Sequence, residues 1–385
     1  ETNMPVLILA PLGVTVQTAY EEAPLLGYEV KVLRDDFSID NGLYITNYEQ
    51  LDNIDTNLFA GIVLDESSVL KNFTGKTRVQ LTNAFKNTKY RLCCTATPAP
   101  NDLMELLNHA DFLGIMTTAQ ALATYFINDM KTGSYLLKGH ATKDFYKWCC
   151  NWSINIESPK DLGYEADYYV LPKLIEQNIM IDIDVIDDDF EHGLFREIGT
   201  SFHKEKNRTA DVRAKKCAEI AMKDNEQYLI WCDTNLEADL LKKYIPEAVE
   251  VRGSDKPQRK ERCALNFKNG KIRVLISKPK IFGYGMNFQK CHNVIFCGLT
   301  YSYENYHQAL RRIYRFGQKQ DVYSYIVLGT TEMHILETVN KKKELQHNLK
   351  NQMDMSVQEI QLLNFEGKEV NEVFQLQKIE IPNFL

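Results

Sequence analysis

The sequence predicts an α/β protein built on two separate parallel sheets. Three observations carry that expectation. Short β-rich runs alternate with helical stretches over residues 4 to 115, the same grammar returns over 228 to 330, and the runs are apolar throughout rather than polar on every second residue. Strands apolar on both faces belong to sheets covered on both sides, and regular strand–helix alternation makes such sheets parallel. At 385 residues the chain also exceeds one ordinary core, for which ~100–200 residues suffice.

In the first block the expected strands are Met4 to Ala10, Val30 to Leu33, Leu43 to Thr46, Gly61 to Leu64 and Tyr90 to Thr95. In the second they are Tyr228 to Cys232, Ile272 to Ile276, Asn293 to Leu299 and Val322 to Leu328, with Lys256 to Phe267 the clearest helix between them. The intervening residues 116 to 227 are rich in aromatics (Tyr125, Phe126, Phe145, Tyr146, Trp148, Trp152) and contain the acidic stretch "IDIDVIDDDFEH", 181 to 192, which reads as a solvated connection. "LETVNKKKELQHNLKNQMDM", after 335, reads as a helix with a charged face. The expected layout is a first lobe over 1–115, a helical insert over 116–170, a second lobe over 171–335 and a tail over 336–385, without internal repeats or low-complexity linkers.

Composition narrows the class. Hydrophobic content of 44% and charged content of 25% describe an ordinary globular chain. No apolar run approaches the roughly 18 residues of a membrane helix, so a cytoplasmic, intracellular protein is expected. Nine cysteines show no Cys-x-x-Cys spacing and include the adjacent pairs Cys93-Cys94 and Cys149-Cys150, which suits neither a disulfide framework nor a zinc site. The net charge of −7 argues against a surface that coats nucleic acid everywhere, while leaving room for a local basic groove. The first residue is Glu1 rather than a methionine, so a fragment or processed product is expected.

Two phosphate-handling signatures sit together in "LDESSVLKNFTGKT", 64 to 77. A phosphate loop needs Gly-x-x-x-x-Gly-Lys-Ser/Thr directly after a strand, because several backbone amides and a helix N-terminus must converge on the anion. Leu70 stands five residues before Gly75 and no strand leads in, so Gly75-Lys76-Thr77 is a chance match. Asp65-Glu66 withstands the same scrutiny. An acidic pair at the carboxyl end of a buried parallel strand lies where such sheets bind ligands. One carboxylate can hold Mg²⁺ while its neighbour orients and deprotonates water.

Further segments follow in order. "TATPAPN", 95 to 101, places the hydroxyls of Thr95 and Thr97 just beyond a strand. In "YHQALRRIYRFGQKQ", 306 to 320, a helical period puts Gln308, Arg312 and Arg315 in one stripe with Arg311 beside it, and Ala309, Leu310 and Ile313 opposite. The apolar side is expected to dock on the sheet and the arginines to face out, where their fixed fork suits phosphate oxygens. Upstream, "SKPKIFGYGMNF" offers Gly283, Gly285 and Asn287, a loop that permits close backbone approach.

This ordered set resembles a superfamily-two helicase motor of the Swi/Snf-like branch. "VLILAPLGVTVQTAYEE" (6 to 22) resembles that branch's first DNA-contact motif, "LYITNYEQL" (43 to 51) the segment after it, "DESSVLKN" (65 to 72) its Asp-Glu box and "TATPAPN" its Thr-Gly-Thr-Pro box, with Ala96 in place of the usual glycine. "YLIWCDT" (228 to 234), "GSDKPQRKERCALNF" (253 to 267), the Gly283/Gly285/Asn287 loop and "QALRRIYRFGQ" follow in family order. "WCCNWSINIESPKDLGY" (148 to 164) is similar to an insert of phage and bacterial members, some encoded near DNA methyltransferases.

The resemblance implies two RecA-like lobes that hydrolyse ATP with Mg²⁺ and translocate on DNA, duplex rather than single-stranded, with proteins of DNA modification or replication as further partners. It implies that Asp65 coordinates Mg²⁺, Glu66 activates water, Arg312 and Arg315 act as arginine fingers and Gln308 assists near the γ-phosphate. Gly283, Gly285 and Asn287 would couple nucleotide state to DNA, while Pro11, Thr46, Asn47, Thr95, Thr97, Thr234 and Arg252 would line the nucleic-acid groove. Two features depart from the pattern: Arg311 stands where the branch has Asp or Gly, and the lysine-bearing phosphate loop of the family precedes the strand at 4 to 10. The chain on its own is therefore expected to be inactive. The alternatives are a non-catalytic nucleic-acid-binding or scaffold module of the same shape, and an RNA helicase.

Overall fold

The computed structural model describes residues 4–33, 39–131, 133–162, 164–165, 169–183, 199–282 and 287–365. Two compact units emerge, residues 1–157 with 343–385 and residues 158–342.

In the first unit β1 (Val6–Ala10), β2 (Val30–Val32), β3 (Leu43–Asn47), β4 (Gly61–Asp65) and β5 (Tyr90–Cys94) form a parallel sheet in the order β2-β3-β1-β4-β5. Successive residues of β1 serve opposite faces. Leu7 and Leu9 pack with Leu64, Phe85 and Phe112, whereas Ala10 joins Ala19, Ala23, Val30 and Ile45. Apolar residues at every position are thus consumed by two cores, as the unbroken hydrophobic runs require. The outer strand β5 differs: Tyr90 and Leu92 are 47% and 53% exposed.

The helices of this unit are α1 (Leu12–Gln17), continued through a π-turn at Thr18–Glu22 into α2 (Ala23–Leu25), then α3 (Lys76–Ala84), α4 (Glu105–Leu113), α5 (Thr118–Tyr125) and α6 (Thr142–Cys150). Gly75-Lys76-Thr77 merely opens α3 after a turn in which the Gly75 N–H donates to Asn72 O, and no strand leads into it. The expected helical insert also holds an antiparallel hairpin, β6 (Phe126–Asn128) with β7 (Tyr135–Leu137), whose turn carries Gly133 at φ +68°. Its aromatics form one cluster, with the Tyr125 and Trp148 rings stacked 5.2 Å apart and Phe126 edge-on to Phe145 at 5.5 Å. Leu349 and Met353 pack into this cluster; they belong to α12 (Met333–Phe365), whose residues from 343 on count with the first unit.

The second unit holds β8 (Leu174–Ile181), β9 (Tyr228–Trp231), β10 (Val249–Glu250), β11 (Val274–Ser277), β12 (Asn293–Cys297) and β13 (Val322–Gly329), parallel in the order β10-β11-β9-β12-β13-β8. Its helices are α7 (Gly199–Ala221), α8 (Asn235–Tyr244), α9 (Pro257–Lys268), α10 (Pro279–Phe282), α11 (Tyr303–Leu310) and the start of α12. β8 is an addition to the strands read from sequence, since Glu176, Gln177 and Asn178 interrupt its apolar character. As the outer strand it tolerates them, and the Tyr306 hydroxyl donates to the Glu176 carboxylate. Most of the acidic stretch 181–192, from 184 onward, lies outside the described residues.

A buried ionic network ties this unit's helices to its strand ends. Arg213 of α7, fully buried, donates to Glu237 Oε1 at 2.8 Å, Cys297 O at 2.7 Å, Lys206 O at 2.6 Å and Thr209 Oγ1 at 3.0 Å. Its Nε also lies 3.2 Å from Glu332 Oε2. Glu237 in turn accepts the Asp233 and Thr234 backbone N–H groups at 2.8 and 2.9 Å, completing a capping box on α8. Gly298, at φ +88°, leaves the guanidinium its space, because a Cβ there would sit 2.3 Å from Arg213 Nη1. Removing one member of a buried ion pair leaves the partner uncompensated. Arg213→Met is therefore expected to destabilise the second unit by about 3–5 kcal/mol, read by denaturant titration; a change under about 1 kcal/mol would show that the network is dispensable.

Candidate functional site

Parallel register alone gathers the candidate residues of the first unit on one edge. Ala10 pairs with Asn47, Leu9 with both Thr46 and Leu64, and Asp65 with Cys94. Pro11, Thr46, Asn47, Asp65, Glu66 and Thr95 consequently leave the sheet along its carboxyl end. Thr46 and Asn47 are buried, and Asn47 Nδ2 donates to Glu49 at 2.6 Å.

The acidic corner at the end of β4 is locally strained. Glu66 adopts φ 53°, ψ 50°, and among the described residues it alone of the non-glycines has positive φ. For an L-residue that conformation costs roughly 1–2 kcal/mol, and it persists only where the surroundings over-determine it. On one side the Tyr48 hydroxyl donates to Asp65 O at 2.6 Å, its phenol kept protonated by burial and then by the nearby Asp65 carboxylate. On the other side the short turn Ser67–Lys71 begins with a wholly buried Ser67.

Asp65 is partly buried beside a like charge. Burial raises its carboxyl above the usual range; a hydrogen bond from the Glu66 N–H opposes the shift and the charge of Glu22 adds to it. A carboxylate destabilised by burial and a like neighbour suits a hard divalent cation, which would relieve both.

The loop after β5 is held by its own side chains. The Thr97 N–H donates to Thr95 Oγ1 at 3.1 Å, and the Glu105 carboxylate accepts the Asn101 backbone N–H at 3.0 Å and Nδ2 at 2.8 Å. The Thr97 hydroxyl is buried with no hydrogen-bond partner among the described residues.

In the second unit the arginine segment departs from the expected helix. α11 stops at Leu310, so the stripe drawn through residue 320 is not one helical face. Beyond Leu310 the chain tightens into turns, with Arg312 N–H donating to Ala309 O and Ile313 N–H to Leu310 O, and then folds back so that Phe288 N–H reaches Arg312 O at 2.8 Å. Gln318 fastens the return by donating to Cys291 O and Ile313 O at 3.0 and 3.2 Å. Ala309, Leu310 and Ile313 enter the core as expected, but Gln308 and Arg312 are buried too, at 4% and 9% exposure, rather than facing out. Arg312 Nε donates to Gln308 O at 3.2 Å and Arg315 donates to Asn287 Oδ1, which joins one arginine to the glycine loop. Gly283 and Gly285 lie outside the described residues.

Thr234 and Arg252 already have structural work. The Thr234 hydroxyl accepts the Glu237 N–H at 3.1 Å as the α8 cap. Arg252 bonds to the Glu250 and Asp239 carboxylates, which hold its guanidinium well above its ordinary pKa. Sequence reasoning gave no role to Glu22, Tyr48, Glu105 or His109 around the acidic corner; Glu22 and Tyr48 fall inside the segments 6–22 and 43–51, whereas Glu105 and His109 belong to no quoted motif.

With this geometry in view, comparison with known proteins decides the family. The SNF2-related domain matches residues 15–138 and the helicase conserved C-terminal domain matches residues 212–317. The uncharacterized ATP-dependent helicase YqhH of Bacillus subtilis is 27% identical over 208 residues, 52% of this chain and 36% of that protein. The chain belongs to the Swi/Snf-like branch of the superfamily-two helicases. A further relative, the TATA-binding protein-associated factor MOT1 of Saccharomyces cerevisiae, is 31% identical over 136 residues, covering 33% of this chain and 7% of MOT1. The chain thus spans about a third or less of the length of these relatives. In fold, this Swi/Snf-like chain is similar to S. cerevisiae Dbp5 bound to RNA and ADP BeF3, at a TM-score of 0.51 and 14% identity over 91% of this chain and 82% of that one. The two units are RecA-like lobes.

The strain at residue 66 is directly testable, because glycine adopts positive φ freely where the Cβ of alanine opposes it. Glu66→Gly is expected to be more stable than Glu66→Ala by about 1 kcal/mol in denaturant midpoints. Equal midpoints would show that residue 66 leaves the left-handed region in solution.

Proposed function

We propose that this chain is the motor portion of an ATP-driven DNA translocase that works with Mg²⁺. The observation that carries the reading is the acidic corner: Asp65 ends a central parallel strand and Glu66 is held left-handed directly after it, in a chain of helicase family. Backbone strain maintained at a carboxylate marks a functional position.

Asp65 would hold the metal, whose charge offsets the burial and the neighbouring Glu22 that raise its carboxyl. When bound, Mg²⁺ supplies positive charge to the transferring phosphoryl group. Glu66 would orient the attacking water and take its proton. Arg312 and Arg315 would neutralise developing phosphoryl charge when the two lobes close on nucleotide, with Gln308 beside them. Gly283, Gly285 and Asn287 would couple nucleotide state to DNA, and the contact of Asn287 with Arg315 supports that for Asn287. Pro11, Thr46, Asn47, Thr95, Thr97, Thr234 and Arg252 would contact backbone phosphates, which position a protein without reading sequence. MOT1's name as a TATA-binding protein-associated factor favours DNA over RNA as the track.

The test is ATP turnover by the open reading frame containing this chain, with duplex DNA, single-stranded DNA and RNA as stimulants. Duplex DNA is expected to stimulate most. Glu66→Gln should keep nucleotide binding and lose turnover, and Arg312→Ala should lose on the order of 10³-fold or more of the stimulated rate. Stronger stimulation by RNA would make the protein an RNA helicase, and nucleic-acid binding with no turnover would make it a non-catalytic module.

A further inference from the structure

His109 stands outside the chemistry proposed above, yet it is packed against the acidic corner. It lies on α4, 4% exposed. One ring nitrogen, Nδ1, is 3.1 Å from the backbone oxygen of Glu105, and the other, Nε2, is 3.2 Å from Ser67 Oγ. A carbonyl oxygen can only accept, so Nδ1 carries the proton and Nε2 of the neutral ring must accept from the serine hydroxyl. We infer that His109 is a positioning residue: it grips Ser67 by the hydroxyl and thereby helps to keep Glu66 in the left-handed corner from which its carboxylate works. The inference rests on the proposed role of Glu66 as the base.

Residue 66 can stay in a costly conformation only if both of its neighbours are fixed. Asp65 is fixed from one side through Tyr48. Ser67 is fixed from the other, where its hydroxyl meets His109 and also the Cys93 thiol of β5. α4 reinforces the hold, since Asn108 Nδ2 donates to Leu70 O at 2.9 Å and to Lys71 O at 3.2 Å, on the same short turn. The same helix binds the loop after β5 through Glu105 and Asn101. One helix therefore grips both the acidic turn and the Thr95–Asn101 loop, and His109 is its contact nearest Glu66 in sequence. Burial pushes the imidazole pKa down, which keeps the ring neutral and its Nε2 lone pair available.

A histidine that only filled the core would affect stability and leave turnover alone. The experiment measures nucleic-acid-stimulated ATP hydrolysis of the open reading frame containing this chain, with His109→Leu, Ser67→Ala, the double variant and His109→Gln, whose amide can still accept a hydroxyl proton. Each single variant is expected to lower kcat about tenfold with KM for ATP within about twofold, the double to fall no further than either single, and His109→Gln to recover most of the rate. Ser67→Ala keeps the test decisive should His109→Leu fold poorly. Parent-like kcat in Ser67→Ala, or single losses that multiply in the double, would overturn the positioning role. Glu66→Gln, run alongside, separates the two readings: retained turnover there would overturn the base assignment and this inference together, whereas a dead Glu66→Gln beside a fully active Ser67→Ala would overturn the positioning role alone.

Discussion

Parallel hydrogen-bonded register governs where function can sit in this protein. In an antiparallel sheet successive strand ends point in opposite directions, but here every described strand of both large sheets runs the same way. Residues far apart in sequence, such as Pro11, Asn47, Asp65 and Thr95, therefore leave their strands along one edge without any contact having to select them. Connections that return over the sheet supply the covering helices, and the apolar residues of the strands bury these on both faces. Chemistry then needs only polar residues at the last position of a strand or just beyond it, as at Asn47, Asp65, Glu66 and Thr95.

An edge crowded with turns must still hold side chains steady, and the two lobes do so differently. The first lobe concentrates strain at one residue, Glu66, and surrounds it with short polar contacts from β5, α4 and the turn after β3. The second lobe uses charge, with Arg213 and Lys206 buried against Glu237, Glu332 and Asp233. Such a network contributes little net stability relative to apolar packing, yet every alternative arrangement leaves a buried charge unpaired. It therefore fixes one geometry for the α8 cap, the end of β12 and the start of α12. Both devices buy rigidity at the strand ends, and both depend on residues distant in sequence.

That dependence explains what could be read from the chain. The strand runs and the Asp65-Glu66 pair were legible because each is a local pattern, apolar continuity in one case and adjacency in the other. β8 was hidden by Glu176, Gln177 and Asn178, which only an outer strand tolerates. The end of α11 at Leu310 was hidden as well: residues 311 to 316 remain good helix formers by composition, and what turns them is the return contact of Phe288 and the side chain of Gln318. The stripe of Gln308, Arg312 and Arg315 was drawn on a periodicity that stops there, so the burial of Gln308 and Arg312 could not be foreseen. The left-handed backbone of Glu66 and its hold by His109 left no trace at all, because a glutamate followed by two serines has no preference for that region.

The arginines show why residue type alone does not assign a phosphate contact. Arg252 carries the charge and the fork a phosphate needs, yet it is bonded to Glu250 and Asp239 and is only half-buried. A phosphate would have to displace two carboxylates already satisfied in a partly solvated setting, where each ion pair is worth little and exchanges readily. Arg213 has better geometry but is sealed inside the second lobe and cannot meet a ligand without unfolding its network. Arg315 differs from both in that one of its contacts is the neutral amide oxygen of Asn287. An amide oxygen orients a guanidinium without cancelling its charge, so this contact fixes direction and removes none of the arginine's attraction for an anion.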